Sequence, residues 1–408
     1  MPSSLLRDRN AEDGEKVGFI ELFFDLVFVF AATQLSHRLI EDGSPEGVVE
    51  NLVLFLAVWS VWTSTTWVTN WMDVDRNRVR LLLLALMIGG IFQMLAIPDA
   101  FKFKFDAQAF AAVHIAMQVG RALFVLLSTA GRHDRLHRHF QRVLIWFLLA
   151  APFWIAGAWG DSDYQLRWWA AAVAVEFAGQ WFRYWIPARG RSSIAEGHVQ
   201  ANHFAERCGL FVIIALGENI LVTGSTVGEL TRNRETVAAL VTALVACMAM
   251  WWIYFSYSQE KAAETVEEDD ASGRAARIVY VFLHIPLILG LLVNAAGDEP
   301  LIKHPGDPAK LSEAFLVVGG PALFLLGEIL VKRMVCGGWI TSHIVGLLSL
   351  LAFLLVAPGM TLLHVGIVAA AVLVVVAIWE ELAIRRRKKG RAERGGDLDV
   401  QRRSAAAT

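Results

Sequence analysis

The stretch "GFIELFFDLVFVFAATQLSH", residues 18–37, places two carboxylates, Glu21 and Asp25, in a run of Phe, Leu, Val and Ala. A run of about 20 apolar residues is long enough to cross a hydrocarbon core of about 30 Å as a helix. Similar runs continue along the chain, which is 56% hydrophobic with 15 Trp, 24 Phe and a mean hydropathy of +0.48. This composition predicts an all-α polytopic membrane protein and leaves no room for a large soluble domain.

The apolar runs, divided at charged or Pro/Gly-rich breaks, predict twelve spans. They lie at residues 18–37, 51–71, 80–98, 107–129, 140–159, 167–187, 203–224, 236–257, 276–296, 313–334, 339–357 and 360–383. The positions of Lys and Arg test this number, because cytoplasmic loops carry an excess of both. One side of the predicted bundle holds 27 of them and the other holds 8, so both termini are expected in the cytoplasm.

Five segments follow from these spans. They are a cytoplasmic N-terminal segment (1–17), a first six-helix half (18–187), a cytoplasmic linker (188–202), a second six-helix half (203–384) and a basic, disordered cytoplasmic tail (385–408). The N-terminus has no apolar h-region, so no cleaved signal peptide is expected. The basic tail is expected to anchor the topology, and anionic lipid headgroups could also bind it.

Similar sequences recur at corresponding helices of the two halves. "FIELFFDLVFVFA" (19–31) in the first span resembles "FAERCGLFVIIALGE" (204–218) in the seventh, with Glu21 aligned on Glu206. "GRALFVLL" (120–127) in the fourth span resembles "GPALFLLG" (320–327) in the tenth. The matches occur in the same order, which predicts two parallel six-helix repeats, as in several transporter folds, with a site or pore between them. Chance similarity between apolar helices is the alternative.

Ionisable side chains in the spans are costly in hydrocarbon and are expected to face the bundle interior. Spacings of three and four residues put several of them on single helix faces: Glu21 and Asp25; His114, Gln118 and Arg121; Glu176, Gln180 and Arg183. Depths from the helical rise of about 1.5 Å per residue predict that Asp25 pairs with Arg121. The same estimate pairs Glu21 with Arg183, and it puts Glu328 of the tenth span between these two levels. The charges either fix helix register alone or serve an ion or substrate path.

Glu218 lies deep in the seventh span beside Asn219, away from any obvious basic partner. Without a cation this carboxyl is expected to be protonated, because burial disfavours the charged form. Glu218 is therefore a candidate proton or cation site. The alternative is a neutral acid that is hydrogen-bonded between helices.

Two motifs, "ELFFDLVFVFAATQLSH" (21–37) and "HFAERCGLFVIIALGENIL" (203–221), resemble the bacterial low temperature requirement protein A family. The first motif falls on Glu21, Phe23, Phe24, Asp25, Phe28, Gln34 and His37, and the second on His203, Glu206, Arg207, Gly209, Gly217 and Glu218. Cys208 departs from the family pattern, which more often has a polar residue or His there. The resemblance implies a multi-pass protein of the bacterial inner membrane and implies no biochemical activity. Over a much shorter stretch, Phe23, Phe24 and Asp25 resemble the Phe-Ser-Asp motif of the lysosomal potassium channel family.

The favoured hypothesis is a transporter or channel for a small ion or solute, with its path between the two halves. The candidate path residues are Glu21, Asp25, Glu206, Glu218 and Asn219. The candidate charge partners are Arg121, Arg183, Arg207, Glu176 and Glu328, and the polar stripe comprises His114, Gln118, Gln180, Gln34 and His37. Membrane lipids are the other expected partners, nucleic acid is not expected, and self-association into a homo-oligomer is left open.

The alternative hypothesis is a non-transporting membrane protein, a lipid-interacting or assembly component, whose intramembrane charges only fix helix packing. An intramembrane enzyme is disfavoured because the sequence has no nucleophile elbow, phosphate loop or metalloprotease helix. No enzymatic activity, cofactor or metal is therefore expected.

Overall fold

A computed structural model of the chain describes residues 5–7, 17–131, 134–187, 189–192, 201–228, 230, 233–256 and 276–405. These residues form helices and short connections, and within them the only β-type pairings are isolated bridges such as Leu6 with Met72. The predicted all-α architecture is confirmed. Most of the predicted N-terminal segment (1–17) and linker (188–202) lies outside the described residues.

Twelve main helices follow one another along the described chain. They are α1 (Phe19–Glu41), α2 (Pro45–Trp71), α3 (Asn77–Leu95), α4 (Lys104–Thr129), α5 (Asp134–Trp159), α6 (Gln165–Trp181), α7 (Ala201–Gly228), α8 (Arg234–Ser256), α9 (Arg277–Lys303), α10 (Leu311–Cys336), α11 (Thr341–Leu354) and α12 (Leu362–Ala405). A single 3₁₀ turn, Ser162–Tyr164, precedes α6.

Ten of these helices are long and apolar enough to cross a membrane, counted over the described residues. The other two, α6 with 17 residues and α11 with 14, are shorter than the roughly 20 residues that a perpendicular span needs. The multi-pass membrane class is confirmed, and the prediction of twelve spans is not. Exposed apolar side chains such as Leu127, Met248 and Leu382 form the outer surface of the bundle, as lipid contact requires.

The C-terminal tail differs from its prediction. The segment 385–408 was expected to be disordered, whereas α12 runs on through it to Ala405. The first tail residues, "RRRKKGRAER" (385–394), are mostly Arg, Lys, Ala and Glu. These residue types have high helix propensity, and so the helix does not have to end where the apolar run ends.

The two halves pack their helices in the same pattern. In the first half the packed pairs are α1 with α2 and α3, α3 with α4, α4 with α2 and α5, and α6 with α5 and α2. Adding six to each number gives pairs that also pack in the second half: α7 with α8 and α9, α9 with α10, α10 with α8 and α11, and α12 with α11 and α8. The closest contact between the halves is that of α1 with α7 and α9, and of α2 with α7.

An irregular turn opens α9 at this contact. Residues Arg277–Leu283 form a π-helix, whose wider turns change the usual hydrogen bonding of the backbone. The Trp59 indole N–H of α2 donates to the Val281 carbonyl at 2.8 Å, and the His284 ring lies 2.8 Å from the Val279 carbonyl. These side chains satisfy carbonyl groups of the turn, and the bond from Trp59 ties the first half to the second.

Candidate functional site

A group of charged side chains is buried where α1 meets α7. We call it the interface charge cluster: Glu21 and Asp25 of α1, Trp62 of α2, and His203 and Arg207 of α7. Glu21, Asp25, His203 and Arg207 are each 0% exposed, and Trp62 is 1% exposed. The acids are four residues apart on α1, and the two basic side chains are four apart on α7. Two matching helix faces therefore meet at this point.

Arg207 joins the two acids of the cluster. Its Nη1 donates to Glu21 Oε1 at 2.9 Å and its Nη2 donates to Asp25 Oδ1 at 2.6 Å. The Trp62 indole N–H donates to the same Asp25 oxygen at 2.8 Å, and His203 Nε2 lies 3.0 Å from Glu21 Oε1. Arg7 reaches Glu21 Oε2 from the N-terminal segment at 3.3 Å. The carboxylates are thus held by charge-assisted hydrogen bonds, which are stronger than neutral ones.

One carboxylate oxygen of the cluster accepts no hydrogen bond from a described residue. Asp25 Oδ2 is buried and has no hydrogen-bond partner among the described residues, and the same holds for Arg207 Nε. Leaving a buried polar atom unsatisfied costs about 1–3 kcal/mol, and more when the group is charged. Asp25 Oδ2 is therefore the position in this cluster that can take a proton or accept a bond from a small polar species.

The charge pairs predicted from depth are wrong. Arg121 donates to the Thr65 hydroxyl at 3.1 Å and to the Gln118 side chain, and it lies over the Phe147 ring. Arg183 donates to the Ser192 carbonyl at 2.8 Å. The helical rise gives depth but no direction around the bundle, and α7, not α4 or α6, supplies the base that faces Glu21 and Asp25.

The polar stripe of α4 joins a carboxylate inside the first half. Glu176 of α6 accepts from Gln118 Nε2 at 3.0 Å, from Trp154 Nε1 at 2.9 Å and from the Ser60 hydroxyl, and His114 Nε2 lies 2.8 Å away. We call Ser60, His114, Gln118, Trp154 and Glu176 the first-half cluster. Its acid faces neutral donors and a histidine, and all five side chains are buried.

Other members of the predicted stripe lie apart from that cluster. Gln180 is buried, but neither its amide oxygen nor its nitrogen has a hydrogen-bond partner in the described structure. Gln34 is half-buried. The His37 ring is exposed, with its Nδ1 3.8 Å from Glu299 Oε2.

A second carboxylate cluster lies within the second half. Lys332 of α10 contacts Glu328 at 3.0 Å and Glu380 at 2.8 Å, and it donates to the Ile253 carbonyl at 2.9 Å. His343 lies 3.2 Å from the same ammonium group. We call Glu328, Lys332, His343 and Glu380 the second-half cluster. Glu328 therefore pairs with a lysine of its own helix, and Lys332 is 2% exposed although it lies two residues from the end of its predicted span.

A second polar group of the contact between the halves lies farther along it. We call it the distal cluster: Thr33 of α1, Glu218 and Asn219 of α7, and Asn294 and Asp298 of α9. The Thr33 hydroxyl donates to Glu218 Oε1 at 2.7 Å. Asn294 Nδ2 donates to Asn219 Oδ1 at 2.9 Å and to Asp298 Oδ2 at 3.1 Å. Glu218 and Asp298 are 3% and 4% exposed, and neither makes an ion pair with any described residue.

Aromatic rings and a small cavity separate the two interface clusters. The Trp59 and Trp62 rings stack with centroids 4.8 Å apart, and Phe211 of α7 meets them at 5.5 Å and 4.7 Å. Beside them lies a cavity of about 20 Å³, lined by side chains of α1, α2, α7 and α9, including Phe28, Ala32, Ala215 and Leu292. A water molecule needs about 10–15 Å³ measured in this way, so the cavity has room for a single water.

Glu206 lies outside the interface charge cluster although it aligns with Glu21 in the sequence. Its side chain is exposed and accepts from the Val17 backbone N–H at 3.2 Å. Because α7 turns His203 and Arg207 toward α1, the residue next to Arg207 points away. The aligned acids of the two halves thus differ in position, one buried between the halves and the other at the surface.

Several members of these clusters were missed from the sequence: Trp62, Asn294, Asp298, Lys332 and Glu380. Lys332 lies inside the predicted span 313–334, two residues from its end. Asp298 was excluded because its span was ended at residue 296, whereas α9 continues to Lys303. The spacing of four between Asn294 and Asp298 was a visible signal, since it puts both on one helix face.

The chemistry open to these clusters is proton or small-ion binding. No group of three or more His, Cys, Asp or Glu residues in the described parts of the chain could hold a metal ion. Buried carboxyl groups with polar neighbours, placed along the contact of two helical units, are the type of group that transporters use for ions and protons.

Known proteins resemble this chain over nearly its whole length. The profile of the family described as bacterial low temperature requirement A protein (LtrA) matches residues 16–378. An uncharacterized protein, RA0937, of Rhizobium meliloti (strain 1021) is 36% identical over 388 residues, which cover 95% of this chain and 94% of that protein. No solved structure matches the chain. The chain therefore belongs to the bacterial low temperature requirement A family.

Proposed function

We propose that this protein is a transporter or channel that carries a small ion or solute along the contact between its two halves. One observation carries the proposal. Buried polar side chains of both halves face one another near both ends of this contact, at the interface charge cluster and at the distal cluster. Ionisable groups are expensive inside a membrane, and where they occur they commonly mark an ion or substrate pathway.

A row of side chains that winds around α7 connects the two clusters. His203 and Arg207 lie in the interface charge cluster, Phe211 and Ala215 line the cavity, and Asn219 belongs to the distal cluster. Each residue of this series lies beside the next, four positions on, and each step of four turns the row by about 40° around the helix axis. From His203 to Asn219 the rise is about 24 Å at 1.5 Å per residue, most of a hydrocarbon core of about 30 Å.

The repeated packing pattern supports the same path. Helix pairs of the first half recur in the second in the same order, as expected for two parallel repeats related by an axis along the membrane normal. In transporters built in this way, substrate and coupling ions bind between the repeats. We place both termini in the cytoplasm of a bacterial inner-membrane protein, because the Lys and Arg excess is on their side. The interface charge cluster then lies toward the cytoplasm and the distal cluster toward the opposite side.

The competing function is a membrane protein whose charges only fix helix packing. That role suits the first-half and second-half clusters, each of which lies within one half and ties its own helices together. It suits the interface less well. Asp25 Oδ2 has no described partner, and Glu218 and Asp298 have only hydroxyl or amide partners in the described structure. A purely structural contact would be served as well by apolar side chains.

The test is ion flux into liposomes that contain the purified protein, measured separately for protons, potassium and sodium. We expect flux of at least one of these ions, and its loss in Asp25→Asn. The matched control is Asp75→Asn, which neutralises an exposed aspartate that pairs with Arg80 on the surface. Each variant must elute as a single folded species.

Two results would contradict the proposal. One is the absence of flux for all three ions from protein shown to be folded, which would favour the structural role. The other is equal flux from the wild type and Asp25→Asn, which would remove the interface charge cluster from the path.

A further inference from the structure

Asp298 is a buried acid that no sequence motif marked. It is 4% exposed near the end of α9, and its described hydrogen bond comes from the amide of Asn294, four residues earlier. The same amide nitrogen also donates to Asn219 of α7. Asp298 is therefore linked through one amide group to the contact between the halves.

The charged and titratable groups around Asp298 offer it no cation. From α7, the neutral Asn219 shares the Asn294 amide, while Glu218 beside it bonds to Thr33 of α1. From α8, the Cys247 thiol is within electrostatic range of Asp298. On α1, His37 faces Glu299 rather than Asp298. α10 meets this part of α9 through the backbone of Leu316 and Val317, close to Gly297.

The rest of α9 and the last helix complete these surroundings. Lys303 of α9 pairs with Glu299 at 2.6 Å. α12 contacts the end of α9 where Gly366 meets Leu301, an apolar contact. The groups that face Asp298 from the described helices are thus neutral or apolar.

A carboxylate in such a place is costly, because an unpaired charge in a low-dielectric interior loses its hydration. It can be neutralised by a metal cation or by a proton. A metal cation needs several oxygen ligands, but Asn294 turns its N–H group toward both Asp298 and Asn219. A proton needs no cage of oxygens. It bonds to one carboxyl oxygen while the other still accepts from Asn294.

We propose that Asp298 is the distal proton-binding residue of this protein and that the proton is an ion its path carries. The second part rests on the transport function proposed above. A hydronium ion at the mouth of the path gives its proton to a carboxylate oxygen of Asp298: the donor O–H bond breaks, the carboxyl O–H bond forms, and water is left behind. On release the carboxyl O–H bond breaks and the proton passes to water or to the neighbouring cluster. Glu299 and His37 lie at this mouth, 3.8 Å apart, with the His37 ring 54% exposed.

The experiment is infrared difference spectroscopy of the full-length protein in lipid nanodiscs, between acidic and alkaline buffer. A protonated carboxyl group has a carbonyl stretching band that its carboxylate lacks. Acidification also protonates the exposed acids, so we expect one component of this band to belong to Asp298 and to be lost in Asp298→Asn. Glu299→Gln is the matched control, because it neutralises the adjacent residue, which Lys303 already pairs. It should keep the band.

A second measurement does not depend on any variant folding. Protein made with ¹³C-labelled aspartate should show the band at lower frequency, which assigns it to an aspartate rather than to Glu218. A band that does not move on labelling, or that persists unchanged in folded Asp298→Asn, would overturn the proposal for this residue.

Proton flux, measured on the same preparations, separates this proposal from the transport function. A band that titrates and is lost in Asp298→Asn, without proton flux in the wild type, supports the binding site and overturns the proton as a carried ion. Potassium or sodium flux without a titrating aspartate band supports transport and overturns the proton site. Proton flux that is lost in Asp298→Asn and kept in Glu299→Gln supports both.

Discussion

The interface charge cluster and the distal cluster lie on the same contact between the two halves, and each holds two buried carboxyl groups. In the first, Arg207 bonds to both acids and Arg7 adds a second cation. In the second, Glu218 and Asp298 have a hydroxyl and an amide as their described partners. In the interface charge cluster the acids must therefore be ionised to balance the guanidinium groups. In the distal cluster both acids can be protonated and neutral.

This difference has consequences for mutation. Removing one partner of a buried ion pair leaves the other charge unpaired, which costs about 3–5 kcal/mol. Replacing a protonated carboxyl by its amide removes no charge. The two clusters should therefore respond in opposite ways to variants that neutralise them, and the predictions below run from the largest effect to the smallest.

The largest loss of folding stability is expected for Arg207→Met. It leaves Glu21 and Asp25 facing each other without their shared guanidinium, and the loss of stability should be about 3–5 kcal/mol. Thermal unfolding in detergent should show little folded protein. Arg385→Met, at an exposed position that pairs with Glu381, is the control and should unfold like the wild type. Normal stability of Arg207→Met would contradict the geometry of the cluster.

Asp25→Asn is expected to destabilise the protein less. Arg207 keeps its bond to Glu21, and the amide oxygen of the new side chain can still accept from Trp62. We expect a loss of about 1–3 kcal/mol, from weakened hydrogen bonds to the guanidinium. Unfolding curves of Asp25→Asn and Arg207→Met measured side by side test the order, and a larger loss for Asp25→Asn would reverse the roles given to the two residues.

Glu218→Gln should change stability by less than about 1 kcal/mol. The amide oxygen can accept from the Thr33 hydroxyl as the carboxyl oxygen does, and no cation is left unpaired. The same unfolding assay measures this variant. A loss as large as that of Arg207→Met would mean that Glu218 is ionised and bound to a cation.

The smallest effect is expected for Asp298→Asn in acidic buffer, where the wild-type carboxyl is neutral and the amide replaces it. As the pH rises, ionising Asp298 inside the protein costs free energy, so the wild type should lose stability while the variant does not. The difference between the two melting temperatures should therefore widen from acidic to alkaline buffer, in favour of the variant. A difference independent of pH would contradict a neutral Asp298.

Much of the fold could be predicted from the sequence, because long apolar runs and the asymmetry of Lys and Arg are strong, one-dimensional signals. The membrane class follows from them. The polar faces of α1 and α4 were also visible, since residues four apart share a helix side. The partners of the buried acids could not be predicted, because the helical rise gives the depth of a residue and not its direction around the bundle. The spacing of His203 and Arg207, the same as that of Glu21 and Asp25, was the signal that matched the two faces.

The predicted ends of the helices were the other source of error in the candidate site. Asp298 was placed beyond its predicted span, which ended at residue 296, and Lys332 two residues from the end of its own span, because a charge near the end of an apolar run usually marks its boundary. In the structure α9 and α10 continue past these charges and bury them, with Asn294 beside Asp298 and Glu380 of α12 beside Lys332. Such a contact depends on which helices are neighbours, which a single sequence does not specify.

The most direct test of a path between the halves is to label it during flux. In a background without the three native cysteines, Ala215→Cys places a thiol on the cavity wall, and Ile213→Cys places one on the exposed face of the same helix. We expect a small cationic thiol reagent to modify Ala215→Cys during flux and to stop the flux, whereas the lipid-facing thiol of Ile213→Cys should stay unmodified and its flux unchanged. Full flux through Ala215→Cys after labelling confirmed by mass spectrometry, or no labelling at all while ions cross, would contradict a path along this contact.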